Sequence, residues 1–260
     1  MATTRLSAWL DSYGEDLRAS LRRAQGQGYR SVEANAAGAE LDPRAFSHSA
    51  RRHLRKHLQD LGLQLGGLWL EYPGLGVADP AHADQRVPML KPLFELSADL
   101  GVRQVGIGLS GFEDPQTSSL AREILAMIGD WADRCGVDAT ISDALDLPTV
   151  GAESVRVLGC PNLRVAVDTG RLGGQSKVVQ SIADLAGAVH LRDVRGRGER
   201  IEEVPFGQGN VDFELLLAQI GTCEHDPSLI VRHNGHGGVD ALRQGREYIE
   251  SLIGRFGARP

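Results

Sequence analysis

Two short apolar runs rich in β-branched residues, LRVAVDT (163–169) and GAVHLRDV (187–194), each end in side chains able to do chemistry. The first brings Asp168 and Thr169, with Arg171 just beyond it, and the second brings His190, Arg192 and Asp193. A Gly-rich turn and one amphipathic segment lie between them, so the stretch reads as a βαβ unit, whose parallel strands need a crossover of this length. Residues at the carboxyl ends of such strands face the ligand. Two carboxylates, an imidazole and two guanidinium groups in one place suit proton transfer, the holding of an anion, or two of the ligands of a metal. Glu33, at the end of the run YRSVEAN, is a further proton-transfer candidate beside His190, Asp168 and Asp193.

The elements that must position these groups repeat along the whole chain. Strand-like runs fall at about 5–10, 29–35, 63–70, 103–110, 137–144, 163–169, 187–194 and 228–233. Segments of helical period lie between them at about 15–27, 44–61, 82–100, 117–135, 149–159, 174–186, 211–221 and 239–256. Gly28, Gly62, Gly101 and Gly136 stand at helix ends just before a strand, where a left-handed cap suits glycine. Eight β/α repeats in 260 residues with no linker predict one domain over 1–260, an α/β fold of the (β/α)8 TIM-barrel type.

A formal net charge of −6 without a basic block argues against nucleic acid and anionic membranes as partners. Cys135, Cys160 and Cys223 are odd in number and scattered, which indicates neither a disulfide framework nor a cysteine zinc site. With no signal-like apolar run near Met1, a cytoplasmic location is expected. Gly106, Gly108 and Gly111 spell GxGxxG, but FEDPQTSS follows instead of a helix start, so they are expected to shape a loop. His53 and His57 lie among arginines and lysines and read as a solvated face.

The segments GYRSVEAN, HLQDLGLQLGGLWL, LRVAVDTGRL, AVHLRD and FGQGNVDFELLL together resemble the xylose-isomerase-like barrel family of sugar phosphate isomerases and epimerases. Asp168-Thr169-Gly170 is similar to its DTGH, His190 to Asp193 to its H-[LI]-K-D, and 207–212 to its GEG-[ND]-[IV]-D. The resemblance implies a divalent metal, Mn or Mg, held by a glutamate after strand five, the DTGH aspartate, the H-[LI]-K-D histidine and a glutamate after strand eight. The glutamates would also move the proton beside a sugar carbonyl. Transferred onto this chain, those positions are Ser142, Asp168, His190 and Arg232, so both glutamates are missing.

An always-protonated arginine repels a cation beside it. The expected arrangement is therefore Arg232 in the metal's place, paired with Asp168, with Arg171 adding a second fixed charge and no cofactor bound. Asp168 and His190 remain weak metal candidates, and Asp143 with His233 would rebuild a Mn or Mg site only if they turned inward against strand alternation. Trp69, Glu71 and Tyr72 after strand three, with Ser142, Arg171, Arg192, Arg232 and His233, are expected to bind substrate. The Gly-rich turn NGHGGVDAL after the last strand suits an anionic group. The function expected is that of a divergent isomerase- or epimerase-like barrel, acting next to a carbonyl on a small polyhydroxylated or anionic compound. An inactive barrel that binds a ligand or partner is the alternative, and a metal-dependent isomerase with a rebuilt site is the second.

Overall fold

The structure is a computed structural model that describes residues 6–142, 148–172, 178–196, 201–234 and 237–257. Eight parallel strands close into a barrel: β1 (Leu6–Trp9), β2 (Ser31–Asn35), β3 (Gln64–Leu70), β4 (Gln104–Gly108), β5 (Asp138–Ser142), β6 (Leu163–Asp168), β7 (Ala186–Leu191) and β10 (Ser228–Val231). β1 pairs with β10 to complete the ring. A small antiparallel hairpin, β8 (Val194–Arg195) with β9 (Glu202–Glu203), intervenes before the last strand.

Helices cover the ring as their periodicity predicts, among them Leu17–Gly26, His48–Leu61, Leu90–Leu100, Ser118–Cys135 and Gly238–Gly257. Gly62, Gly101 and Gly136 cap three of these in the left-handed conformation and turn the chain into the next strand. Leu54 and Leu58 bury one side of His48–Leu61, while His53 is exposed on the other. No helix among the described residues is long and apolar enough to cross a membrane.

Strand alternation fills the barrel interior with Trp9, Trp69, Ala166, Ala188 and Ile230, separate from the larger core beneath the helices. Trp69 is fully buried there, not at the mouth where the sequence reading set it. Gly106 is its register partner on β4, and a Cβ at Gly106 would overlap the indole ring. Gly106 thus serves packing inside β4, whereas Gly111, at φ +93°, makes the turn beyond it. Gly106→Ala is expected to cost about 3 kcal/mol or more through overpacking, read as a lower denaturation midpoint at an unchanged m-value. A cost within about 0.5 kcal/mol would refute this packing.

Two strand pairings shift register by one residue. The residue skipped is Gly66 in β3, between the Val32 and Glu33 pairings, and Gly187 in β7, between the Val165 and Ala166 pairings. Such bulges re-aim the neighbouring side chains.

Candidate functional site

At the C-terminal mouth the ends of β6 and β7 bring Asp168 and His190 into register, as the sequence required. Their partners differ from expectation. Asp168 is clasped by Arg192, with Nε 2.9 Å from Oδ1 and Nη2 2.8 Å from Oδ2, while Arg171 Nε stands 3.6 Å away. Burial pushes the Asp168 carboxyl up, but the Arg192 charge and its hydrogen bonds outweigh that and hold it near 2. The expected Asp168–Arg232 pair does not form. Arg232 lies 4.7 Å above the Trp9 ring and pairs with Glu71 at 2.8 Å. The reason is position across the ring, since Arg192 leaves β7 beside β6, whereas Arg232 extends from β10 toward the end of β3.

Arg192 also binds Glu203 on the hairpin strand β9, a residue the sequence reading did not single out. Glu203 accepts from Asn234 N at 2.8 Å and lies 3.0 Å from His233 Nδ1. Burial raises the Glu203 carboxyl, yet His233, the Asn234 amide and Arg192 together bring it down to about 2. Arg171, Asp168, Arg192, Glu203 and His233 therefore form one chain of alternating basic and acidic side chains across the mouth. His233 reaches the mouth because β10 ends at Val231, after which strand alternation no longer sets direction. Asp143 lies outside the described residues.

His190 is 1% exposed, and neither ring nitrogen has a hydrogen-bond partner. Trp69 stands edge-to-face with it at 4.5 Å and Trp9 at 5.6 Å. Burial, opposed by Glu71 and reinforced by Arg232, lowers its pKa to about 4, so the imidazole is neutral at pH 7. Glu33 is deeper still. It is fully buried and accepts from Trp69 Nε1, and burial pushes its carboxyl up to about 8. Asp193, a proton-transfer candidate on sequence, is committed to structure. Its Oδ2 accepts from Gly207 N and Gly209 N, each at 2.8 Å, and its Oδ1 from Val194 N at 3.0 Å, which pins the GQGN loop. Ser142 ends β5, half-buried beside Ala166, and Tyr72 carries Arg86 over its ring at 4.6 Å.

A cavity of about 510 Å³ opens at this mouth, walled by Trp9, Asp11, Ser12, Asn35, Arg232 and His233, with Asn234 and Gly238 at its edge. Asp11 lies in the 3-10 turn Leu10–Tyr13 after β1, and sequence reading passed over it because a single turn has no periodicity. Partial burial raises its carboxyl, opposed by Asn35 and Arg232. Ser12 Oγ accepts from His233 N at 2.9 Å and ties the first strand's loop to the last. Arg232 spends Nε on Asn234 Oδ1 and Nη1 on Glu71, while Nη2 makes no hydrogen bond among the described residues.

The family model for the xylose isomerase-like TIM barrel matches residues 21–252. The chain belongs to this family. Among solved structures, this xylose isomerase-like barrel is similar to a xylose isomerase domain protein from Planctomyces limnophilus, at 14% identity and TM-score 0.82, covering 98% of this chain and 97% of that one. A xylose isomerase-like TIM barrel protein from Mycobacterium smegmatis, in complex with magnesium, matches at 15% identity and TM-score 0.81, with 96% and 97% covered. A D-tagatose 3-epimerase-like protein matches at 16% identity and TM-score 0.76, with 97% and 99% covered. These identities establish the shared fold. The search of curated proteins finds no match.

Proposed function

We propose that this xylose isomerase-like barrel binds a small polyhydroxylated carbonyl compound carrying an anionic group in its C-terminal cavity, and does so without a divalent metal. The observation that carries the reading is the placement of guanidinium groups around the family's metal position. Of the residues that correspond to the family's ligands, Asp168 has both oxygens bonded to Arg192, and Arg232 is a cation. The unpartnered nitrogens of His190 are the feature most favourable to a metal, but the charges of both Arg232 and Arg192 bear on that imidazole. A hard dication needs several anionic oxygens, and this donor set does not fit one. A carboxylate or phosphate is the charge that Arg232, with its remaining N–H groups, suits.

In such a complex the residues able to move a proton at the cavity are Asp11 and His233, because Glu33, His190 and Asp193 are buried or engaged. Asp11 takes the proton from the carbon next to the carbonyl, the developing oxyanion pairs with Arg232, and the proton returns either to the same carbon or to the former carbonyl carbon, in the latter case with the neighbouring hydroxyl proton passing to the oxyanion. Binding without turnover is the second reading, favoured by the sealing of His190 between Trp9 and Trp69.

Melting curves with gluconate and glucose 6-phosphate as probes test the binding. Saturating probe is expected to raise the melting temperature by about 5 °C or more, and Arg232→Ala abolishes the shift. No shift with either probe, or an equal shift in the variant, overturns the reading. Exchange of the C2 hydrogen of glucose 6-phosphate in D2O, absent in Asp11→Asn, separates turnover from binding alone.

A further inference from the structure

The opposite end of the barrel carries a second cavity, of about 450 Å³, within the usual range for small-molecule sites. A barrel core is ordinarily closed by layers of branched apolar side chains. Here the layer nearest the N-terminal mouth is polar. Gln104 stands at its centre, donating to Thr140 Oγ1 at 3.0 Å and to the Gly187 carbonyl at 3.2 Å, and accepting from Ser228 Oγ at 2.8 Å. The two bulge residues, Gly66 and Gly187, both line this cavity. Both register shifts thus fall where a side chain would fill the space.

Beyond Gly66 lies a second polar group. A Cβ at Gly66 would sit 2.7 Å from Ser31 Oγ, 3.4 Å from Ser7 Oγ and 3.5 Å from Glu33 Oε1. Ser7 Oγ donates to Ser31 Oγ at 2.8 Å and stands beside the fully buried Glu33 carboxyl, whose pKa it helps to lower. Gly66 is the residue shared by the cavity wall and this buried polar group.

We propose that the N-terminal mouth is a second small-molecule site, for a neutral polyhydroxylated ligand of sugar-alcohol type. Amide, hydroxyl and carbonyl groups on its floor offer both donors and acceptors, which is what a row of hydroxyls requires. The rim mixes signs, Arg103 and Arg164 against Asp138, Glu224 and Asp226, and so selects neither an anion nor a cation. The site is independent of the opposite mouth, because the buried Trp9 and Trp69 lie between them.

Sorbitol and xylitol at millimolar concentration are the probes, below the range in which polyols stabilise proteins by exclusion. Titration calorimetry on the full chain is expected to show saturable binding of at least one. Thr140→Val removes a floor hydroxyl and Arg103→Trp blocks the exposed rim without touching the core, and each weakens that binding tenfold or more. Arg232→Ala, at the other mouth, leaves it within twofold. Absence of saturable binding by both probes, or binding that survives Arg103→Trp, overturns the proposal. Loss in Arg232→Ala overturns it too, since the polyol would then occupy the C-terminal cavity. Should Thr140→Val fail to fold, the rim variant decides.

Discussion

Glu33→Gln is expected to be more stable than the unsubstituted protein at neutral and alkaline pH, by an amount that grows with pH. Glu33 ionises at the ordinary 4.5 when unfolded and at about 8 when buried in the barrel. Folding therefore requires the carboxyl to hold its proton between those values. The contribution of neutral Glu33 is fully present below pH 4.5 and is lost as pH rises through 8, where the loss levels off at about 5 kcal/mol. Gln has nearly the same shape, accepts from Trp69 Nε1 through its carbonyl and cannot ionise. The difference between the two unfolding free energies, measured by urea denaturation from pH 4 to 9, should be small at pH 4 and reach several kcal/mol at pH 9. A difference that stays flat across this range means that Glu33 is not a protonated core residue.

Arg192→Ala should be the most damaging single change at the C-terminal mouth. It strips Asp168 of a bidentate partner and removes one of the groups bound to Glu203. Among the described residues, Asp168 would keep only the Gly170 amide and Arg171 at 3.6 Å; removing one partner of a buried pair costs about 3–5 kcal/mol, whereas replacing both members by apolar groups is often close to neutral. Asp168→Leu combined with Arg192→Met is therefore expected to recover most of the stability lost by Arg192→Ala, a coupling that a double-mutant cycle reads directly. The pH dependence has the opposite sign to that of Glu33. The Asp168 carboxyl is held below its unfolded value of 3.8, so the pair's stabilisation is present above pH 3.8 and is lost as pH falls toward 2. If Arg192→Ala costs under about 1 kcal/mol, the pair behaves as a surface salt bridge and the charge chain has no structural weight.

Most of the architecture was legible in the sequence because it is written in local terms. Period-two runs and helical stripes each fall on one element, and glycines at 62, 101 and 136 adopt the left-handed caps their positions call for. The placing of Asp168 and His190 at the same mouth followed as well, since each ends a strand of one βαβ unit. The misses lie where the answer depends on closure of the ring. Whether Arg192 or Arg232 takes Asp168 is decided by which strand ends are neighbours around the mouth, and nothing in a run of residues states that.

Trp69 was set at the rim because it nearly ends its strand. A glycine opposite it, Gly106, makes an inward ring the better fit, and that pairing of Trp with Gly on successive strands was a signal in the sequence. Glu203 and Asp11 sit in a two-residue strand and a single turn, both too short for periodicity. Asp193 looked chemical from its residue type alone. Its role is set by the loop amides of Gly207 and Gly209, which converge on it from a distant stretch of chain.

At the C-terminal mouth, arginines are proposed to have taken over the charge role of a metal. Titration of the purified, chelator-treated protein with Mn(II), followed by the electron paramagnetic resonance of the free ion, tests it most directly. The claim predicts that the free-ion signal rises in proportion to added Mn(II), with no site tighter than millimolar. One site per chain of micromolar affinity, lost in Asp168→Ala and His190→Ala, would contradict it.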